Sequence, residues 1–537
     1  MRKLVLITAA ASTTLAGAGV AAWAGTTSSA PNRPAETVAA AAGSIAWSPC
    51  PDNDKWQGAA LKGLECGTIK VPLDYAHPNG TKISVAVSRA KATDTKHYAG
   101  IILLNRGGPG GRGRDLPQRF INPANGLPKA VSARYDWIGF DPRGVQATDP
   151  SMICDPSYAW PGHARADYVP ANKAQEEAWK RKAKKYAADC GRKYGKYLPF
   201  INTKSVARDM DSIRAALGQK KTSYFGYSYG TYLGQVYASM FPTHVRRIVI
   251  DSVVNAKRAW YDTQLDQNAA FEVRMKIFFR WIAKYDSVYH LGKTEKAVEK
   301  NYYKGRAKVK KAPLNGQLGP SEWDDFFVGT DGYRDYTWLA HAQELSDFVV
   351  KNDPKGLLSE FGPPDDAGQN GNAIYLATQC RDAAWPRNWA KWHKDYTRQY
   401  KQGLRSLTWN NAWFNAPCAY WPVKGGPAPK VGAGKKLSSM LILQATLDAA
   451  TPRPGAFAAH KAFPTSRLVE ELGGVNHTIA FTPNKNACIN ALTAKYLDTG
   501  ALPKSKKGVD ATCKASPLPD PTTQAVFAQP SRPRALA

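Results

Sequence analysis

The sequence predicts an α/β protein, a mostly parallel sheet whose chain is interrupted by one long helical insertion. Three observations predict it. Short, continuously apolar runs such as "AGIILLN" (99–105), "TSYFGY" (222–227) and "SMLILQATLD" (439–448) read as strands buried on both faces rather than as period-two surface strands. Such runs alternate with helical patterns over the first half of the chain. Between about 255 and 420 the strand pattern stops, and long amphipathic segments rich in Trp and Tyr replace it. With 537 residues, 43% of them hydrophobic, the chain can bury one large core with an insertion, or two to three domains.

Taken in order, residues 1–24 carry Arg2 and Lys3, an Ala-rich apolar stretch and an A-x-A site at Ala22-Trp23-Ala24. That is the pattern of a secretory signal peptide. No cysteine precedes Cys50, so no lipid-anchored N-terminus and an extracellular location are expected. Residues 25–42 are small, polar and Pro-containing and read as a linker or pro-segment. A first core part is expected over 43–254. It opens on two strands, "TIKVPLDY" and "KISVAVSRA", around the turn "HPNG". The strands "AGIILLN" and "YDWIGFDPRG" follow. In 202–218, Val206, Met210, Ile213 and Leu217 fall on one helical face, and Gly218 stops the helix. "TSYFGY", the helix "YGTYLGQVYASMF" and the strand "RRIVIDSV" complete this part. The helical insertion spans 255–420. A second core part, 421–513, resumes with "SMLILQATLD" and "SRLVEELGG". The Pro-rich tail, 514–537, is expected to be poorly ordered.

Export permits disulfides. The eight cysteines fall into four local couples, Cys50 with Cys66, Cys154 with Cys190, Cys380 with Cys418 and Cys488 with Cys513, although eight cysteines allow 105 pairings. No spacing suggests a metal site. The net charge of +30 draws on runs such as "KRKAKKY" and "KGRAKVKK". No nucleic-acid motif accompanies them, so they read as solvated surface, with weak adhesion to anionic cell-surface polymers as the only partner role they suggest. A mean hydropathy of −0.44 excludes a polytopic membrane protein.

The chemistry centres on Gly226-Tyr227-Ser228-Tyr229-Gly230, which lies between a strand and a helix. A G-x-S-x-G turn in that context is the nucleophile elbow of the α/β hydrolases, where small neighbours permit a tight turn that projects the hydroxyl. Serine needs a base and the base an orienting acid, in the chain order Ser, acid, His. Asp448 ends a late strand, and His477 follows the next one in "GGVNHTIAF". His460 sits in the helical pattern "PGAFAAHKAF" and is set aside. "NRGGPGGRG" (105–113) follows a buried strand and reads as an oxyanion loop. Gly108 is its chosen donor, with Gly107 its neighbour and the Tyr229 N–H the second donor.

The motifs "GGPGG", "DWIGFDPRG", "GYSYGTYLGQVY", "HVRRIVIDSVV", "LDAATP" and "CINALTAKYL", in that order, resemble the secreted bacterial tripeptidyl aminopeptidases. Those enzymes share the α/β-hydrolase group with the prolyl iminopeptidases. The resemblance runs from about residue 43 to 515. It implies an exopeptidase that frees short peptides, typically tripeptides, from unblocked peptide or protein N-termini, with a helical cap over the site; the triad chemistry needs no cofactor, and a monomer is expected. It places nucleophile, acid and base on Ser228, Asp448 and His477. The chain departs from the family at Arg106, where relatives often have His or Pro, at Arg112, where Ser is usual, and at Gln379, where an acid often precedes the cysteine. An aminopeptidase needs carboxylates for the α-ammonium group. With Gln379 uncharged, Asp266, Glu272 and Asp382 are the candidates. An esterase or amidase of the same fold, or a non-catalytic cell-wall-binding protein, are the rival readings.

Overall fold

The computed structural model describes residues 43–483 and 486–523, so the expected signal peptide and linker, and residues 524–537 of the tail, lie outside the described residues. Ten strands form one sheet. They are β1 (Ser48–Pro49), β2 (Glu65–Pro72), β3 (Lys82–Ala90), β4 (Ile101–Asn105), β5 (Asp136–Phe140), β6 (Thr222–Tyr227), β7 (Val245–Asp251), β8 (Met440–Ala445), β9 (Ser466–Leu472) and β10 (Ala511–Lys514). Their spatial order is β1-β2-β3-β5-β4-β6-β7-β8-β9-β10. The pairs from β1 to β5 are antiparallel, and every pair from β5 through β4 to β10 is parallel.

The continuous apolar runs are explained by two cores, one on each face. Ile101, Leu103, Tyr224, Ile250 and Ile442 point to one, with the helices Thr203–Ala216 and Tyr229–Met240. Their neighbours Ile102, Leu104, Phe225, Val249 and Leu443 point to the other, with Phe120 and the helix Ala487–Thr499. Side chains alternate along a strand, so only a strand covered on both faces tolerates an unbroken apolar sequence.

Between β7 and β8 the described chain forms no sheet strand, as the sequence pattern indicates. This stretch packs in two ways. Residues such as Phe271, Phe278, Trp323, Trp338 and Leu345 build a core of their own, which reaches Ala449 and Ala450 just after β8. The later part, with Trp392, Trp409 and Trp413, joins the sheet's first core, where Trp413 stacks on Trp179 at 5.5 Å. The helix Asp366–Asp382 is fastened to the sheet domain by Asn370. Its side chain accepts from Gln146 N (2.9 Å) and donates to Gly144 O (2.8 Å) and Met152 O (3.0 Å).

All four local cysteine couples are bridged. Two expectations need correction. Lys514 belongs to β10, and the chain beyond it is placed through Thr523, with Ala515 N on Leu472 O (3.0 Å) and the Trp281 indole on Pro519 O (2.8 Å). Four residues, ATCK, are too short to show a strand pattern. The basic run 304–311 is not wholly solvated either: Arg306 is largely buried, with bonds to Asp324 and Asp167. Among the described residues, no helix is long and apolar enough to cross a membrane.

Candidate active site

Ser228 stands between the last residue of β6 and the first of the following helix, at φ 56° and ψ −126°. A side-chain-bearing residue at positive φ is held there by its surroundings. Its N–H donates to Asp251 O (3.0 Å), and its carbonyl accepts from Thr231 N (2.8 Å). The flanking glycines are required by close approach. A Cβ on Gly226 would lie 2.5 Å from Gly230 O, and one on Gly230 would lie 2.8 Å from Asn105 O.

The loop after β4 runs against this turn. A Cβ on Gly107 would lie 2.8 Å from Ser228 Cβ and 3.2 Å from Tyr229 N. Gly107 N–H is taken by Asn105 Oδ1 (3.0 Å). Tyr229 opens a helix, so its N–H has no intrahelical acceptor. Arg106 and Arg112 both bind Asp115, at 2.5 and 3.1 Å, so one carboxylate offsets half of the charge that the two arginines add beside the loop. A Cβ on Gly110 would lie 2.4 Å from Gly371 O, so the helix Asp366–Asp382 crosses directly over the loop.

Asp448 and His477 meet on the sheet's carboxyl edge. His477 Nδ1 lies 2.9 and 3.0 Å from the two Asp448 oxygens. Asp448 also accepts from Ala450 N (2.9 Å), Thr451 N (3.0 Å) and Thr451 Oγ1 (2.8 Å). Burial alone would raise its pKa, but the His477 ring and these donors hold it below the usual carboxylate value. His477 Nε2 is buried and makes no hydrogen bond, to Ser228 or to any other group. Catalytic contacts of this kind commonly close only with substrate bound.

The sequence reading passes over three supports of this histidine. The Asp251 carboxylate, fully buried, accepts from Ile479 N (3.0 Å) and Ala480 N (2.8 Å). The same residue's carbonyl holds Ser228 N, so Asp251 ties the serine turn and the histidine loop to one point. Burial pushes its carboxyl up to about 7. Ser252 Oγ accepts from Thr478 N (2.7 Å). Tyr333, from the insertion, accepts His477 N–H on its carbonyl (2.8 Å) and packs edge-on against the ring. The acid at the end of "RRIVID" was the available signal, but a strand-end Asp is common. Tyr333 has no local signature. His460 lies on the helix Pro454–Ala462 and bonds Ser466 Oγ (2.7 Å), outside the site.

The three candidate amine-binding carboxylates are not brought together. Asp266 pairs with Arg258 (2.5 and 2.9 Å) beside an open cleft of about 570 Å³ that Thr451 and Pro452 also line. Glu272 accepts from Arg405 N, Ser406 N and Ser406 Oγ. Asp382 is buried and accepts from Thr203 N (2.7 Å) and Thr203 Oγ1 (2.6 Å), and that hydroxyl also meets Tyr229 Oη (2.7 Å). Burial pushes the Asp382 carboxyl up to about 6. Gln379 Oε1 accepts from Gln264 Nε2 (3.1 Å).

Comparison with known proteins gives concordant results. The alpha/beta hydrolase fold family matches residues 100–301, and the family described as TAP-like protein matches 405–513. A tripeptidyl aminopeptidase of Streptomyces lividans is 42% identical over 469 residues, 86% of this chain and 85% of that protein. Serine protease Hip1 of Mycobacterium tuberculosis is 30% identical, covering 86% and 90%. Carboxylesterase B of the same species is 28% identical, covering 82% and 86%.

Proposed function

Because this chain belongs to the tripeptidyl aminopeptidase family of the α/β hydrolases, and is thereby a serine hydrolase, we propose that it is a secreted exopeptidase releasing tripeptides from free N-termini through Ser228, His477 and Asp448. The observation that carries the reading is the pairing of His477 Nδ1 with the buried Asp448 while Nε2 is left without a partner. Asp448 fixes the tautomer that keeps a lone pair on Nε2. With substrate bound, Nε2 takes the proton of Ser228 Oγ as the oxygen attacks the scissile carbonyl. The N–H groups of Tyr229 and Gly108 stabilise the oxyanion. His477 then protonates the leaving amine, and water resolves the acyl-enzyme by the same route in reverse.

The free amine must meet a carboxylate. Of the three candidates, Glu272 is taken up by three donors of its own and Asp266 by Arg258. Asp382 is held by Thr203, whose hydroxyl also meets the Tyr229 side chain, and it is the candidate whose partners join it to the residue after the serine. Four disulfides suit an extracellular setting.

The test is a long unblocked peptide and its N-acetylated twin, followed by mass spectrometry. The reading expects successive loss of three residues from the free peptide and none from the twin. Equal cleavage of both, or interior cuts, would exclude an exopeptidase. Cleavage of neither, with rapid turnover of simple esters, would favour the esterase reading that the carboxylesterase relative keeps open.

A further inference from the structure

A second polar cluster lies in the insertion, away from the serine. The helix Trp338–Val350 presents His341 and Glu344, three residues apart and so on one face. The short helix Lys355–Glu360 ends in Glu360. All three side chains are at least nine-tenths buried. One ligand-type atom from each lies within 4.8 Å of the others. His341 Nε2 stands 3.5 Å from Glu360 Oε2, an ion-pair contact longer than a good hydrogen bond, and Glu344 Oε2 accepts no hydrogen bond. Burying polar atoms with so few hydrogen bonds is costly. The surroundings are built to this cluster. Phe326 packs on the His341 ring at 4.4 Å, and Gly356 lets the second helix approach so closely that a Cβ there would lie 2.8 Å from Glu344 Cγ.

The other face of the imidazole is also committed. His341 Nδ1 bonds the buried Asp331 carboxylate at 3.0 Å, and Asp331 accepts from Thr337 Oγ1 at 2.7 Å. A carboxylate on one ring nitrogen, with the other nitrogen aimed at further carboxylates, is the arrangement that surrounds histidine ligands of metals. Imidazole with carboxylate oxygens suits zinc or manganese, whose bonds of about 2.0–2.2 Å put tetrahedral donors roughly 3.4 Å apart, within reach of side chains already this close.

We propose that His341, Glu344 and Glu360 form a divalent-cation site of the zinc and manganese class, with Asp331 orienting the histidine from behind. The cation binds His341 Nε2 and one oxygen of each glutamate, and clamps the two helices together. Its influence reaches the serine site through the chain that follows Asp331. In that turn Tyr333 O accepts His477 N–H at 2.8 Å, and Asp335 N donates to Asn476 Oδ1 at 2.9 Å. The role is structural: the three ligands stand on helices of the insertion, and the path to His477 runs through the backbone of the turn that follows Asp331.

The test uses the full chain, stripped with chelator and titrated calorimetrically with zinc, manganese and calcium chlorides, with thermal melting alongside. The expected result is about one zinc or manganese ion per chain, with a melting temperature that rises with cation concentration. Glu344→Gln combined with Glu360→Gln keeps the shape of the cluster and should abolish this binding. Asp331→Asn should weaken it about 10–100-fold. The glutamine variants hold the proposal to account even if a His341 variant fails to fold. Absence of saturable binding, binding of calcium alone, or unchanged affinity in the double glutamine variant would overturn it. A proton shared between the glutamates, seen as stability independent of any cation, would then be what fills the cluster.

Discussion

At the scale of single residues, the site depends on buried acids with opposite tasks. Asp448 is kept charged by the groups around it, whereas Asp251 is pushed toward its neutral form by burial, helped by the charge of Asp448 and only partly offset by its backbone and hydroxyl donors. The sign for Asp251 follows from proton linkage. Its folded value, about 7, lies above the ordinary 3.8, so between those limits the folded state holds a proton that the unfolded state has lost. Its contribution to stability is therefore present at low pH and lost as pH rises toward 7, a change of roughly 4 kcal/mol in full. Asp251→Asn is expected to fold, because an amide oxygen can still accept from Ile479 and Ala480. It should lose less stability than the parent between pH 5 and pH 8. Urea titrations at both values check this, and parallel losses in the two proteins would refute the assignment. The same residues show where sequence reading stops. Ser228, Asp448 and His477 announce themselves by their places after strands. The carboxylates proposed for the amine could not be sorted, because their partners are distant in the chain. Glu272 is claimed by Arg405 and Ser406, and Asp382 by Thr203. Periodicity reports a residue's own element and is silent on what a fold places against it.

At the scale of elements, eight of the ten strands coincide with strand patterns visible in the sequence; the central ones, β4, β6 and β8, are continuously apolar or aromatic because both of their faces are covered. β1 and β10 escape because two and four residues cannot display a pattern. The helix Asp366–Asp382 matters most for the site, since it lies over the glycine loop and is held by Asn370. Asn370 is fully buried, and Asn370→Ala would strand Gln146 N–H and the Met152 carbonyl, leaving the Gly144 carbonyl only its bond from Met152 N–H. We expect a loss of about 2–4 kcal/mol in unfolding free energy. Peptide turnover should fall further than that loss alone explains, because the helix covers the loop that carries Gly108. Urea unfolding and kcat/KM on one tripeptide substrate measure the two effects. A variant with parental stability would show that the three bonds carry little.

At the scale of the whole molecule, the chain combines a covered sheet, a helical insertion and four bridges. The bridges close loops with sequence separations of 16, 25, 36 and 38 residues. Loops of that size are stabilised by about 3–4 kcal/mol each in the chain-entropy account. Cys488–Cys513 joins the helix Ala487–Thr499 to β10, and Cys154–Cys190 fixes the helix Lys173–Tyr194. Thiol titration under denaturing, non-reducing conditions should find no free thiol, and reduction should lower the melting temperature by well over ten degrees. Two or more free thiols would contradict the bridged form. The sequence could suggest these pairs only from their nearness along the chain, because spacing alone does not determine connectivity.

The central claim is that Ser228 is the nucleophile of a peptidase. It is tested most directly by replacing Ser228 with alanine and measuring both tripeptide release and labelling by a fluorophosphonate probe. The account predicts a folded protein in which labelling is absent and turnover falls by a factor on the order of 10⁴–10⁶. Near-parental turnover with labelling retained would place the nucleophile elsewhere and contradict it.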